Sequence, residues 1–169
     1  MKSANFDLLM NGFTIRSMVP DDIIEVKALV ATTPGLALWD WETDENLARS
    51  LRRNPGLAQV ALDWKTRKGR PEIVGAVLIG EGHMSMIHHL AVKPEARGHQ
   101  LGTRIVRAGL KRLFQMEDAA RRVYITTLRD NLGAQLFWSK FGAEKQAHGD
   151  LCLFTLNLND EQHRIWLQG

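Results

Sequence analysis

The sequence predicts a mixed domain of the α/β or α+β class, a sheet with helices on both faces. Three observations carry this. Strand-like segments outnumber helical ones, early hairpin-like pairs give way to β-α-β units, and the last strand-like run is apolar on both faces, as an internal strand must be. The order reads β-α-α-β-β-β-α-β-α-β-β.

Each element has a local cause. Phe13 to Val19 alternates as a first strand, and Pro20-Asp21-Asp22 offers a helix start. Ile23, Ile24, Lys27 and Val30 give a short helix with one apolar side, stopped at Thr33-Pro34-Gly35. After the loop G-L-A-L-W-D-W, Thr43 or Asp44 caps a second helix, which Asn54-Pro55-Gly56 ends. Leu57 to Trp64 and Ile73 to Ile79 read as strands flanking the basic hairpin K-T-R-K-G-R-P, residues 65–71, and Met84 to Val92 as a fourth strand. Leu101 to Met116 is the clearest helix, with Leu101, Ile105, Gly109 and Leu113 in one stripe and Val106, Leu110 and Phe114 beside it. Val123 to Leu128 is a strand, Leu132 to Phe141 a short helix closed by Gly142, residues 143–148 the penultimate strand and Leu151 to Leu158 the last.

The 169 residues, 44% hydrophobic and 24% charged, match one globular domain spanning 1–169, with a core at about 13–158 and a tail at 159–169. A single cysteine, Cys152, excludes an internal disulfide framework and reads as core. No apolar run approaches the ~18–20 residues of a membrane span. The first ten residues hold only a short apolar patch and no cleavage-like site, so the expectation is a cytoplasmic protein without a signal peptide. The tail residues Ile165 and Trp166 suit covering a sheet edge or docking on a partner subunit, which leaves monomer and homodimer both open.

The formal net charge is +3, but it is unevenly spread: residues 1–47 carry −5 and residues 93–122 carry +5. A basic stretch of that length suits nucleic acid, a phosphate-rich small molecule, or simply a solvated helix face. The run I-H-H-L-A-V-K-P-E-A-R-G-H-Q-L-G-T, residues 87–103, favours the second. It joins a strand to a helix through Arg97-Gly98, and such a helix start presents unpaired N–H groups to an anion. Gly98 and Gly102 let that backbone approach closely, although packing glycines at an ordinary helix start would look the same. No Walker-type or dinucleotide-binding glycine spacing is present.

L-A-V-x-P-x-x-R-G-x-x-L-G, residues 90–102, resembles the acyl-CoA signature of GNAT-type N-acetyltransferases. N-x-x-A-x-x-F-W-x-K-x-G-A, residues 131–143, resembles that family's second motif at the expected distance. R-N-P-G-L and G-A-V-L-I-G are further similar to a bacterial branch with tryptophan in the second motif. The resemblance covers about residues 13–158. It implies a mostly antiparallel sheet of six to seven strands, splayed between the fourth and fifth, with acetyl-CoA or another acyl-CoA as cosubstrate and no metal. Backbone groups at Leu90, Ala91 and Val92 would face the pantetheine arm. Arg97, Gly98, His99, Gln100, Leu101, Gly102 and Thr103 would hold the pyrophosphate, and Asn131, Phe137 and Trp138 would flank the arm from the other side.

Two positions depart from the family pattern. Gln100 replaces the middle glycine of the first motif, and Trp138 stands where many members carry the tyrosine that protonates the departing thiolate. An indole N–H donates a hydrogen bond but is no acid near neutral pH.

The acceptor amine also needs a base, and His88, two residues before Leu90, is the candidate. Strict alternation would place Met86, His88 and Leu90 on one face and His89 on the other. A packed core histidine is the competing reading for both. The resemblance sets the acceptor by the loop between the first two helices, where Leu38, Trp39, Asp40 and Trp41 are followed by Glu42 and Asp44. That mixture suits a cationic or aromatic-bearing amine, whether small molecule or peptide N-terminus. Alternatively, the tryptophans plug one end of the core. The leading expectation is an N-acetyltransferase. A non-catalytic acyl-CoA-binding regulator and an enzyme acylating charged tRNA are the alternatives, nucleic acid being disfavoured because no aromatic residues interleave the basic stretch.

Overall fold

The computed structural model describes residues 12–65, 69–119, 121–148 and 151–168. Its elements are β1 (Phe13–Ser17), a 3-10 turn (Pro20–Asp22), α1 (Ile23–Thr32), α2 (Asp44–Arg53), β2 (Gln59–Asp63), β3 (Glu72–Gly80) and β4 (Ser85–Val92). They continue with a second 3-10 turn (Pro94–Ala96), α3 (Leu101–Phe114), β5 (Arg122–Leu128), α4 (Leu132–Lys140), β6 (Glu144–His148), β7 (Leu151–Asn157) and α5 (Glu161–Gln168). The strands form one seven-stranded sheet in the order β1-β2-β3-β4-β5-β7-β6. β4 and β5 run parallel, and the other five neighbouring pairs are antiparallel. Of the basic hairpin, residues 66–68 lie outside the described residues.

Helix boundaries follow the local chemistry. Thr43 caps α2 by accepting the Asn46 N–H at 3.2 Å. Asp44 and Glu45 open that helix and Arg52 and Arg53 close it, complementing its dipole. Asn131 caps α4, its Oδ1 accepting the Ala134 N–H at 3.0 Å.

The sheet separates two cores. On one face Val26, Leu29 and Val30 of α1 and Leu47 of α2 pack over Val60, Leu62, Ala76 and Leu78. On the other, Leu101, Ile105, Leu110 and Leu113 of α3 pack with Val77, Ile79, Ile125 and Phe154, joined by Trp138 and Leu167. The α3 stripe read from the sequence is the buried one. Gly109 lies where it meets the sheet: a Cβ there would fall 2.5 Å from the Leu57 carbonyl oxygen and 2.6 Å from Ile79 Cδ1, so any side chain would push α3 off.

β7 lies between β5 and β6, as its two apolar faces predict, and Cys152 is buried in the core. The tail folds back on its own chain, while Ile165 stays exposed. It forms α5, with Leu167 buried, Trp166 edge-on to Phe141 at 4.6 Å, and the Arg107 guanidinium 5.3 Å from the Trp166 ring. No helix among the described residues is long and apolar enough to cross a membrane.

Candidate active site at the split between two parallel strands

β4 and β5 pair only from Ser85–Val123 to Ile87–Ile125, then part. The cause is visible on the other side of β4. Leu78 of β3 faces His89 and Ile79 faces Ile87, so His88 is an extra residue, a bulge. A bulge bends and over-twists its strand, which here carries the rest of β4 away from β5.

The bulge corrects the alternation expected from the sequence. Ile87, Leu90 and Val92 pack with the α3-side core, whereas Ala91 belongs to the α1-side core and His89 meets Glu42 of the α1–α2 loop. His88 and Leu90 therefore do not share a face, because the inserted residue breaks the period of two.

The backbone beyond the bulge is sorted the same way. The Lys93 N–H bonds the Val74 carbonyl across to β3 at 2.8 Å. Backbone polar groups alternate sides along a strand, so Ala91 also turns toward β3 while Leu90 and Val92 turn toward the gap. Ala91 consequently offers the gap neither side chain nor free backbone group. Arg97 reaches back to that edge, its Nε donating to the Val92 carbonyl at 3.3 Å.

At the mouth of the gap α3 begins without a side-chain cap. The first helical bond runs from the Arg104 N–H to the Gln100 carbonyl, leaving the Leu101, Gly102 and Thr103 N–H groups without intrahelical partners. Gly98 (φ 83°) and Gln100 (φ 57°) both adopt the left-handed conformation. The family glycine that Gln100 replaces thus falls where backbone geometry favours glycine. His99 stacks at a tilt on Phe13, 5.1 Å between ring centroids. Leu101 is buried, so only its backbone can meet a ligand.

Helix α4 supplies the facing wall. A Cβ on Gly102 would lie 3.4 Å from the Phe137 ring and 3.9 Å from Val92 Cγ2, so α3, α4 and β4 converge there. Trp138 is 3% exposed, edge-on to Phe137 at 4.8 Å and to Phe141 at 5.7 Å. Asn131 uses its side-chain oxygen for the α4 cap and sets its amide nitrogen against Gly35.

On the opposite face of the sheet the α1–α2 loop closes over His88. Trp39 and Trp41 are 64% and 53% exposed, so they do not plug the core, while Leu38 packs against the α1-side cluster. The loop's carboxylates are largely committed. Glu42, which the sequence marks only as one acid among several, is buried with both oxygens on His89 Nε2, at 2.7 and 3.0 Å, and accepts the Trp39 N–H at 2.7 Å. Asp44 and Asp40 are both exposed, and Asp44 pairs with Lys27 at 2.6 Å. Trp41 stands edge-on to His88, 5.9 Å between centroids, and its carbonyl accepts from Asn46 Nδ2 at 2.7 Å.

His88 opens on a groove that runs past Asn46, Arg49 and Arg53 of α2 toward the β3–β4 turn. Protein packed around the ring pushes its pKa below the ordinary histidine value; His89 adds to this and Glu42 partly opposes it. The ring lies against Gly80 of β3, where a Cβ would fall 3.0 Å from its Nε2, and the lowered pKa favours the neutral form, able to accept a proton at neutral pH.

A sheet split between two parallel strands, with a helix start at its mouth and a bulged histidine next to the last paired residue, is the arrangement of an acetyltransferase fold. The sequence pattern of the Acetyltransferase (GNAT) family matches residues 26–143, and the chain belongs to that family. No curated protein matches the chain significantly in sequence. Among solved structures, the PaiA N-acetyltransferase of Thermoplasma acidophilum with coenzyme A is similar at TM-score 0.70 and 13% identity, over 86% of this chain and 98% of that one. YncA of Salmonella typhimurium, described as a putative acetyltransferase with acetyl-CoA, aligns at TM-score 0.67 and 15% identity, over 89% and 96%. A chain of the NatC complex bound to Gag peptide and CoA aligns at TM-score 0.66 and 18% identity, over 85% and 95%.

Proposed function

We propose that this protein is a cytoplasmic N-acetyltransferase that passes an acetyl group from acetyl-CoA to a primary amine, of a small molecule or a peptide N-terminus, by direct attack on the thioester. The observation that carries this reading is the coincidence, in one gap, of outward-turned backbone at Leu90 and Val92 and unpartnered N–H groups at the start of α3, with a histidine on the bulge next to the residue where the strands part.

The residues fit coenzyme A. Leu101, Gly102 and Thr103 aim N–H groups where a pyrophosphate would lie, and the basic stretch that includes Arg97 and Arg104 surrounds them. The absence of a side chain on Gly102 leaves passage between Val92 and Phe137. The Leu90 and Val92 backbone can bond an extended arm as an added strand would.

His88 takes the proton from the attacking amine. For an α-amine of pKa about 7.7–8, reaching the neutral form costs about 1 kcal/mol at pH 7, against roughly 4–5 kcal/mol for a lysine side chain. An α-amine is therefore the easier acceptor. Trp41 supplies an aromatic wall beside His88. Trp138 replaces the usual acid and cannot protonate the leaving group, but a thiol of pKa about 8.5 departs tolerably as thiolate.

The test is free-thiol release from acetyl-CoA across a panel of amines, with wild type, His88→Ala and Trp138→Tyr. Release with at least one amine, and its loss in His88→Ala, is expected. No release with any amine overturns the enzyme reading, and coenzyme A binding without release would establish a non-catalytic binder.

A further inference from the structure

Among the described residues, one buried polar atom has no hydrogen-bond partner in the protein alone. Thr127 is 8% exposed, and its Oγ1 is buried without a hydrogen-bond partner among the described residues. Valine has nearly the same shape and suits a strand as well, so a hydroxyl left unpaired here is a cost to folding that packing does not explain.

Its position supplies a reason. Val123, Ile125 and Thr127 alternate inward on β5, and the first two lie in the α3-side core with Trp138. Ile125 makes the last contact with β4, opposite Ile87, so Thr127 is the next inward residue and the first beyond the split. Two residues along β5 from that pair correspond to three along β4, because His88 is extra, and this sets Thr127 level with Leu90. On its other flank Thr127 pairs with Cys152 of β7. The buried polar side chain of α4, Gln135, is spent elsewhere: its amide donates to the Leu128 and Arg129 carbonyls and its oxygen accepts from Lys145. Nothing on this wall answers the hydroxyl.

We infer that Thr127 Oγ1 hydrogen-bonds the pantetheine arm of the acyl-CoA, at the amide nearest the sulfur. This rests on the reading of the gap as the acyl-CoA site. Strand rise is about 3.3 Å per residue, so the level of Leu90 lies roughly 6–7 Å beyond the Ile87–Ile125 pair at the apex. With the thioester at the apex, the amide two carbons beyond the sulfur reaches that level. A hydroxyl both donates and accepts, so it can serve either the carbonyl or the N–H of that amide. Thr127 is a positioning residue: it fixes the arm's depth and hence where the thioester stops beneath His88.

Thr127→Val separates this role from packing. Coenzyme A affinity measured by titration calorimetry should weaken about tenfold in Thr127→Val and stay within about twofold of wild type in Thr127→Ser. The melting temperature of the ligand-free Val variant should hold or rise by a few degrees, because an unpaired buried hydroxyl is gone. Thr127→Ala repeats the affinity test should Val fail to fold. Wild-type affinity in both the Val and Ala variants would overturn the inference while leaving the acyl-CoA site intact; no coenzyme A binding by wild type would overturn both.

Discussion

Replacing Glu42 by alanine removes the carboxylate that ties the α1–α2 loop to His89 of the sheet. In the native protein its oxygens lie 2.7 and 3.0 Å from His89 Nε2, with both side chains almost wholly buried, and one oxygen also accepts the Trp39 N–H. Breaking a buried pair from one side typically costs about 3–5 kcal/mol, because the survivor is left desolvated and alone. In a chain of this size each kcal/mol lowers the melting temperature by about 2–4 °C, so Glu42→Ala should melt roughly 6–20 °C below wild type. Glu42→Gln keeps an acceptor for Trp39 and a partner for His89, and should lose about 1–2 kcal/mol, the scale of an ordinary hydrogen bond. Adding His89→Leu to Glu42→Ala should restore much of the loss, since the stranded imidazole is then replaced by apolar volume. Urea denaturation of the four proteins measures the set. If Glu42→Ala lay within about 0.5 kcal/mol of wild type, or His89→Leu gave no recovery, the buried clamp would be refuted.

Three other changes probe the site itself. His88→Ala should lower kcat/KM by about 10²–10⁴, with the wild-type acid limb falling below the usual histidine range because His88 deprotonates early. The same shift means that native His88 stays neutral where the unfolded chain is already protonated, so stability should fall as pH drops below about 6.5, less so in His88→Ala. Gln100→Gly should stabilise the protein by about 0.5–1 kcal/mol, because the φ of 57° penalises a side chain by more than glycine's extra chain entropy costs; equal or lower stability in urea would refute this. Gly102→Val should place methyl groups against Phe137 and Val92, weakening coenzyme A binding at least tenfold in calorimetry while the circular dichroism spectrum is unchanged.

Features with local causes were legible in the sequence. The α3 stripe, the Thr43 cap and the internal β7 follow from periodicity and side-chain chemistry within a few residues. The two motifs located both walls of the gap. What stayed hidden depends on partners far along the chain. The bulge at His88 exists only in register with Leu78 and Ile79, so alternation within β4 could not reveal it. Glu42 and His89 are 47 residues apart, and only the fold makes one acid of an acidic loop a buried anchor. In the tail, Trp166 and Leu167 gained their meaning only once α3 and Phe141 formed their seat.

The adjacent histidines show how one inserted residue divides labour in a strand. His89, backbone toward β3, is buried and clamped by Glu42, whereas His88 occupies the bulge, clear of the ladder and open to the groove. The clamp in turn positions the catalytic candidate: Glu42 holds the Trp39 backbone, Asn46 holds that of Trp41, and Trp41 then stands edge-on to His88. Lifting the loop would uncover a buried carboxylate–imidazole pair, a cost that a weakly bound acceptor could not meet. Under the proposed function, the acceptor would therefore enter a site whose aromatic wall and base are already in place. Its selectivity would then lie in what fits beside Trp41, not in loop closure around it.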